Sequence, residues 1–466
     1  MVLTTSHIIG IAATLLIVIA VGIYAGRKVK TADDFATGGR SAGASLIAGT
    51  IIGTLVSGAS TVGTAQLAFQ YGFSAWWFTL GAGMAFLIMG LTMVSKIYNS
   101  NVSTIPQYLT GTYGSAIGPV SSTFTIIGIS MSMLAQTLSL VALLTAIFPI
   151  NSFMAASAGA LLVFAYVLSG GVWGTGMIGV VKLVLLYFAM ITCGGAAYFM
   201  SGGFEKLSQA LPVFPFFSLF GRGAATDVAA GFSLIVGILS TQIYFQAIMS
   251  GKTLKEAYRG TFMSALLIPP LGLGGIMVGL FMRANFPETA SGEVLPLFII
   301  NFLPPILAGI VLATLLITIV GGWAGLALGI STLITNDLYG RFRPNLSSDQ
   351  KLYAQRIFIV LICILSVFIA SGNVGSMILL WSFMSMGFRG CTVLFPLLGA
   401  MFWPRFVTPA GGLAAAVSGP AVNVLWKVSF PHGIDPLYPG LMASFLALLL
   451  VSKLTSKHDA QIQKNL

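Results

Sequence analysis

The chain of 466 residues is 57% hydrophobic and only 7% charged, with a mean hydropathy of +0.97. This composition excludes a water-soluble globular protein and predicts an all-α, polytopic membrane protein that forms a single integral domain. The net charge of +11 is explained by cytoplasmic loops that face anionic lipid, so it does not require nucleic acid as a partner.

Apolar runs long enough to cross a bilayer core of ~30 Å recur along the whole chain. We predict about thirteen transmembrane helices, with centres near Leu15, Ser57, Met84, Met133, Ala160, Tyr187, Gly237, Leu271, Leu315, Ile362, Met386, Ala415 and Leu446. The first run has no Lys or Arg before it, so we expect a retained helix and not a cleavable signal peptide. An external N-terminus and a cytoplasmic C-terminus then place most of the 22 basic residues inside.

Two predicted helices are interrupted by Gly, Ser and Thr near their middle. The run from Ser45 to Phe69 reads SLIAGTIIGTLVSGASTVGTAQLAF, and the run from Ala229 to Gln246 reads AAGFSLIVGILSTQIYFQ. Paired interruptions in the two halves of a membrane protein indicate a transporter binding site near the bilayer midplane. Each glycine alone is equally compatible with close helix packing, so the pairing carries the prediction.

Five segments resemble, in order, the sodium/solute symporter family. They are DDFATGGRSAG (Asp33 to Gly43), SGGVWGTGMIGVVK (Ser169 to Lys182), TQIYFQAIMSGKTLKEAYRG (Thr241 to Gly260), STLITNDLYGRF (Ser331 to Phe342) and LLGAMFWPRFVTPAGG (Leu397 to Gly412). The resemblance implies a leucine-transporter-type fold, whose ten-helix core consists of two inverted five-helix repeats with broken first and sixth core helices. It assigns residues 1–42 to a leading helix and cytoplasmic loop, 43–403 to the core, and 404–466 to two trailing helices and a short cytoplasmic tail.

The resemblance also implies a secondary active transporter of the cell membrane. Such a symporter imports a small organic solute by alternating access and needs no cofactor beyond a coupling ion, H⁺ or Na⁺. Its partners would be the solute and membrane lipids, and a monomer would suffice for function. An enzyme is disfavoured because no nucleophile, metal or phosphate motif is present, and the three cysteines lack the spacing of a metal site. A non-transporting sensor on a transporter fold is a remote alternative.

The sodium site implied by the resemblance is incomplete in this chain. In the family, carbonyls of the broken first core helix and a carbonyl with two adjacent hydroxyls of the eighth hold one sodium ion. The carbonyls correspond to Gly53, Val56 and Thr318. The two hydroxyl positions correspond to Gly321 and Gly322, which offer no side-chain oxygen to a hard cation.

The fifth core helix departs from the family at the same ion path. An Asp that the family often places there corresponds to Gly179, and Lys182 follows three residues later on the same helical face. We predict that the ammonium takes the space of the missing sodium and that proton transfer replaces sodium movement. Two alternatives stay open: a lysine that snorkels to the membrane surface, and a conventional sodium-coupled symporter of a neutral solute.

A second cation, Arg389, lies near the middle of the eleventh predicted helix, whereas all acidic residues lie in loops or at helix ends. Its planar fork suits an organic anion or amino acid, and backbone carbonyls are the alternative partners. Other candidates for solute binding are Ser57, Ser60, Thr61, Gln66, Trp76, Trp77, Thr241 and Gln242. The polar ones are equally suited to linking helices, and the tryptophans to an interfacial belt.

Overall fold

Helices make up almost all of the chain that the computed structural model describes. The described residues are 3–26, 40–100, 102, 104–343, 347–431 and 433–464, excluding the side chains of 21–26, 165–178, 348 and 457–464. Most of the predicted cytoplasmic loop after the leading helix, residues 27–39, lies outside this description. Within it, the only β contact is an isolated bridge between Ala42 and Gly251, so the all-α prediction is confirmed there.

Ten helices form the first half of the described chain. They are α1 (Thr5–Gly26), α2 (Ala44–Leu55), α3 (Thr64–Tyr71), α4 (Trp77–Thr92), α5 (Val94–Asn99), α6 (Ile105–Tyr113), α7 (Ile117–Ile147), α8 (Ser152–Met200), α9 (Gly203–Ala210) and α10 (Val213–Phe216). A π-helical turn, Ala59–Gly63, precedes α3, and a 3₁₀ turn, Gly72–Trp76, follows it.

Ten more helices form the second half. They are α11 (Ala224–Leu239), α12 (Gln242–Met249), α13 (Leu254–Asn285), α14 (Val294–Phe302), α15 (Pro305–Leu333), α16 (Gly340–Phe342), α17 (Ser348–Ser371), α18 (Ile378–Phe402), α19 (Pro409–Ser429) and α20 (Leu437–Lys464). A 3₁₀ turn, Ser291–Glu293, precedes α14, and a π-helical segment, Ile334–Tyr339, joins α15 to α16.

Fewer helices of the described residues are long and apolar enough to cross a membrane than the roughly thirteen predicted from the sequence. Among the described residues, eight helices meet these criteria, or nine if α11 and α12 form one bent span. Every predicted centre except Ser57 lies within a helix, but Ala160 and Tyr187 share the continuous α8. This helix has 49 residues, more than one crossing needs, so the number of crossings in this segment stays a prediction. An apolar surrounding favours the hydrogen-bonded helix even across glycines.

The first interrupted run breaks where Gly and hydroxyl residues cluster. The helix α2 ends at Leu55, and Val56 adopts an extended conformation with φ −83° and ψ 100°. The chain becomes helical again in the π-helical turn that starts at Ala59. Since an extended residue removes the i to i+4 pattern, carbonyls in the last turn of α2 lose their helical donors.

The second interrupted run breaks between α11 and α12. Ser240 and Thr241 lie between these helices, whose axes differ by 49°. Both breaks are embedded among buried residues, because Ser57, Ser240 and Thr241 are all at most 4% exposed. The two bends therefore lie inside the helix bundle, where irregular backbone needs polar partners from neighbouring helices.

Candidate functional site

Lys182 contacts the orphaned end of α2. Its side chain is 4% exposed, and its Nζ donates a hydrogen bond to the Gly53 carbonyl, 2.5 Å away. In an unbroken helix this carbonyl would accept from the N–H of Ser57, but that N–H donates to the Ser60 hydroxyl at 2.8 Å. The break thus exposes a carbonyl dipole, and the ammonium satisfies it.

Glycines let α2 and α8 approach closely at this point. A Cβ at Gly179 would lie 2.5 Å from the Gly49 carbonyl oxygen, and a Cβ at Gly53 would lie 3.1 Å from the Gly179 Cα. Lys182 lies one helical turn after Gly179 and so faces the same contact. The structure therefore brings together three of the predicted ion-site residues: Gly53, Gly179 and Lys182.

The predicted hydroxyl position at Gly322 faces the break in the first core helix. A Cβ added there would lie 2.6 Å from the Ser57 Cβ, 3.0 Å from the Ser57 Oγ and 3.6 Å from the Gln136 Oε1. Ser57 and Gln136 thus fill the space into which a side chain at position 322 would extend. The neighbouring Gly321 is only half-buried.

Thr318 lies one turn before Gly322 on α15 and is fully buried. Its Oγ1 has no hydrogen-bond partner among the described residues. A buried hydroxyl without a partner costs about 1–3 kcal/mol, so this oxygen is available to a ligand or to a water molecule. Val56, the remaining predicted position, marks the extended end of α2.

The hydroxyls of the first break hold the break together. The Ser60 Oγ and the Thr61 Oγ1 each donate to the Ser57 carbonyl at 2.9 Å. Gln136 on α7 accepts from the Gly58 N–H at 3.0 Å. The two solute-site candidates Ser60 and Thr61 therefore replace missing helical hydrogen bonds, although their remaining lone pairs can still accept from a solute.

Gln66 and Gln242, two further solute-site candidates, link helices in this structure. Gln66 accepts from the Ile378 N–H at 2.9 Å and donates to the Ser376 carbonyl at 3.4 Å, so it caps the start of α18. Gln242 accepts from the Ile105 N–H at 2.7 Å, at the start of α6.

The tryptophan candidates also bind backbone carbonyls. Trp76 donates from Nε1 to the Pro269 carbonyl at 2.9 Å, and Trp77 donates to the Leu219 carbonyl at 2.7 Å. Pro269 lies inside α13, where prolines disturb the helical hydrogen bonds. Both rings therefore fasten α4 and the turn before it to neighbouring segments.

Arg389 is 1% exposed and is surrounded by neutral oxygens. Its Nη1 donates to the Thr241 Oγ1 at 2.8 Å, and its Nη2 to the Ser385 Oγ at 3.1 Å and the Ser132 Oγ at 3.3 Å. Its Nε donates to the Ser385 carbonyl at 3.3 Å. The guanidinium thus joins α7 and α18 to the break before α12, and it brings the predicted pair Arg389 and Thr241 together.

The shell around Arg389 carries no compensating charge. Among the described residues, two ion pairs are present, Arg222–Asp227 and Arg259–Glu256, and neither includes Arg389 or Lys182. The shell hydroxyls point their lone pairs at the guanidinium, since Thr241 donates its own proton to the Gly237 carbonyl. Such a shell solvates the cation but leaves its positive charge without a neutralising anion.

A buried ion pair near the start of α11 was not predicted. The Asp227 carboxylate is fully buried and accepts from the Arg222 Nε at 2.8 Å and from the Ser74 hydroxyl at 2.6 Å. The Arg222 guanidinium also lies 5.4 Å from the centre of the Phe383 ring on α18. Asp227 lies in the first turn of α11, as expected for an acidic residue at a helix end, but its burial and its partner were not predicted. The separation of five residues between Arg222 and Asp227 is the sequence signal that could have suggested the pair.

Gln136 was missed as well, although it is the only amide side chain in the apolar sequence of α7. An isolated amide at 5% exposure must satisfy several hydrogen-bonding atoms, which is a recognisable sign of a polar contact between helices.

Comparisons with known proteins agree with this architecture. The model of the sodium:solute symporter family matches residues 35–419. The chain belongs to that family. A sodium/proline symporter of Haemophilus influenzae is 25% identical over 95% of this chain and 93% of its own length. A sodium/pantothenate symporter of Escherichia coli is 24% identical over 95% of each chain.

The fold of this symporter also matches a solved structure. An outward-open, substrate-bound Na⁺-coupled sialic acid symporter superposes with a TM-score of 0.80 at 18% identity, covering 97% of this chain and 98% of the other. The chain is therefore a cation-coupled symporter of small solutes, a multi-pass protein of the cell membrane and not an enzyme. Members of this family need a coupling ion and no other cofactor.

Proposed function

We propose that this symporter imports a small organic anion or amino acid by alternating access and that protons, not sodium ions, drive the import. The observation that carries the proposal is the hydrogen bond from Lys182 to the Gly53 carbonyl. This ammonium contacts a backbone oxygen that corresponds to a sodium ligand in the family. The two hydroxyl positions of that sodium site are Gly321 and Gly322.

Proton transfer through Lys182 has a physical basis. The side chain is 4% exposed and has no carboxylate partner among the described residues, so the Gly53 carbonyl is the described group that stabilises its charge. A state that opens Lys182 to one side of the membrane would then exchange its proton with that side. Closing the contact with Gly53 again favours the ammonium.

The solute class rests on Arg389. A carboxylate that replaces one of the shell hydroxyls would bind the guanidinium through a charge-assisted, bidentate contact. Thr241, which lies at the second helix break, and Ser132 are close enough to Arg389 to reach the same ligand. An organic anion or a zwitterionic amino acid satisfies this arrangement, whereas a cationic solute does not.

The membrane topology, the division of the chain into segments and the partners belong to the same proposal. We infer thirteen crossings with the N-terminus outside, a ten-helix inverted-repeat core over residues 43–403, a leading segment 1–42 and a trailing segment 404–466. Membrane lipids and the solute are the proposed partners, without nucleic acid, and a monomer suffices for transport. The positive charge of the loops supports the orientation.

A sodium-coupled symporter of a neutral solute is the alternative. The names of the relatives favour it, because both are sodium symporters. The unpartnered Thr318 hydroxyl also offers one oxygen to an ion on α15. Position 322 argues against this alternative, because Gly322 has no side-chain oxygen for sodium and a side chain there would lie too close to Ser57.

Uptake into proteoliposomes separates the two ions. We expect a panel of labelled small carboxylates and amino acids to include one that accumulates under an inward proton gradient with choline in place of sodium. Accumulation that requires sodium and saturates with its concentration would refute proton coupling. Binding without accumulation under either gradient would favour the remote alternative, a sensor built on this fold.

A further inference from the structure

The surface of the bundle carries a groove between the start of α2 and the first turns of α13. The groove has a volume of about 820 Å³ and is open to the surroundings. Its lining residues include Ala44, Glu256, Arg259, Phe262, Met263 and Leu266. We propose that this groove binds an anionic phospholipid of the bilayer.

The groove is amphipathic along the axis of α13. Arg259, Phe262, Met263 and Leu266 follow the spacing i, i+3, i+4, i+7 and so share one face of the helix. Arg259 lies at one end, and the apolar side chains extend over roughly 10 Å toward Leu266. Because Leu266 is 75% exposed on a membrane-embedded helix, its end of the groove faces acyl chains.

The basic end of the groove has an excess of positive charge. Lys252, Lys255 and Arg259 are all exposed within eight residues, and Glu256 is the one carboxylate among them. Its Oε2 accepts from the Ala44 N–H at 2.8 Å, and its Oε1 accepts from Arg259 at 3.3 Å. A phosphate group with net negative charge balances the remaining cations, and the exposed part of the Arg259 fork suits its geometry.

The position of the groove connects lipid binding to the transport machinery. Glu256 caps the first turn of α2, and the last turn of the same helix supplies the Gly53 carbonyl that holds Lys182. The Ala42 N–H and carbonyl also bind the backbone of Ser250 and Lys252, which precede α13. A phospholipid across α2 and α13 would therefore brace the helix that supplies this carbonyl to Lys182.

Native mass spectrometry of the whole protein tests the site. The protein would be released from nanodiscs that contain equal amounts of phosphatidylglycerol and phosphatidylcholine. We expect phosphatidylglycerol to be retained preferentially. The double variant Lys255→Gln, Arg259→Gln should lower its retention about 30-fold. Each basic residue near a membrane surface contributes ~1 kcal/mol to the binding of anionic lipid, and the variant removes two of them. Met263→Trp, which fills the apolar part, should lower it without changing a charge.

A matched control changes two basic residues at the start of another helix. Lys351 and Arg356 on α17 are also exposed, and Lys351→Gln, Arg356→Gln should retain phosphatidylglycerol like the wild type. Equal retention of both lipids, or no effect of the α13 variants, would overturn the proposal. Displacement of the lipid by inorganic phosphate alone would also overturn it, because the site would then bind a soluble anion. None of these outcomes depends on whether protons or sodium ions drive transport.

Discussion

At the scale of single residues, variants of Lys182 distinguish between two roles of this side chain: a substitute for the sodium ion, and a lysine that snorkels to the membrane surface. Its Nζ binds the Gly53 carbonyl inside the bundle and the side chain is 4% exposed. Lys182→Ala should abolish accumulation driven by a proton gradient, because it removes the charge that satisfies the carbonyl. Lys182→Arg should preserve the fold but lose proton coupling, since a guanidinium keeps its proton. Accumulation ratios measured against pH test both variants.

Lys96 provides a matched control for these variants. Its Nζ also donates to a backbone carbonyl, that of Met401 at 2.9 Å, but it lies far from either helix break in sequence. Lys96→Ala should keep the pH dependence of accumulation. Wild-type accumulation by Lys182→Ala would show that Lys182 only snorkels to the membrane surface, because a membrane protein tolerates the removal of such a charge.

Arg389 tests the class of solute. Arg389→Ala should weaken binding of an anionic solute by at least ~30-fold, because removing one partner of a buried charged contact costs about 2–5 kcal/mol. Arg389→Lys should be a poor replacement, since a single ammonium cannot donate to Thr241, Ser132 and Ser385 in the same geometry. Solute-induced stabilisation of the purified protein measures the affinity.

Ser385→Ala is the control for Arg389, because it removes one hydroxyl of the shell and leaves the charge in place. Its effect on affinity should be much smaller than that of Arg389→Ala at similar protein abundance. The anion hypothesis fails if both Arg389 variants bind and transport normally, or if the solute proves to be a cation.

At the scale of helices, the crossing of α2 and α8 sets the distance between Lys182 and its carbonyl. Gly179→Ala would place a Cβ 2.5 Å from the Gly49 carbonyl oxygen. We expect a loss of about 1–3 kcal/mol in stability, as for other overpacked contacts, together with weaker proton coupling as the helices separate. Thermal unfolding and accumulation assays measure the two effects.

Gly195→Ala in the same helix is a suitable control, because a Cβ there meets nothing within 4 Å. It should leave both stability and coupling close to those of the wild type. If Gly179→Ala also behaves like the wild type, the close contact between α2 and α8 does not control the position of Lys182.

Helix breaks were predictable from the sequence, whereas the partners of polar side chains were not. The clusters of Gly, Ser and Thr act locally, so they located the break after Leu55 and the one at Ser240. The role of Gln66 depends on an N–H that lies 312 positions away in the chain. No local pattern encodes such a pairing, and Gln66 was therefore grouped with the solute-binding candidates.

The same limit applies to charged residues and to glycine-rich segments. Lys182 could be predicted as an unusual cation, but its contact with Gly53 requires the approach of two helices that are separated by 129 positions. Two helices were predicted around Ala160 and Tyr187, yet the helical backbone of α8 is continuous between them. Glycine permits a break in a membrane helix without requiring one, because the apolar environment still favours internal hydrogen bonds.

At the scale of the whole molecule, buried charge is unevenly distributed. Lys182 and Arg389 lie inside the bundle among neutral oxygens, while the buried Asp227 carboxylate is already paired with Arg222. The described interior thus contains two cations that no protein carboxylate neutralises. A solute anion that enters with a proton fits this imbalance, because it brings the missing negative charge to Arg389 while Lys182 holds the proton.

The orientation of the whole molecule is the last testable feature. An external N-terminus and thirteen crossings place Lys206 outside and Lys252 inside, and both side chains are exposed. Native Cys193, Cys363 and Cys391 are buried, so an introduced cysteine should dominate labelling. A membrane-impermeant maleimide should label Lys206→Cys on intact cells and Lys252→Cys only after permeabilisation. Labelling of both from one side would refute the threading, and the reverse pattern would invert the protein and contradict the charge distribution of its loops.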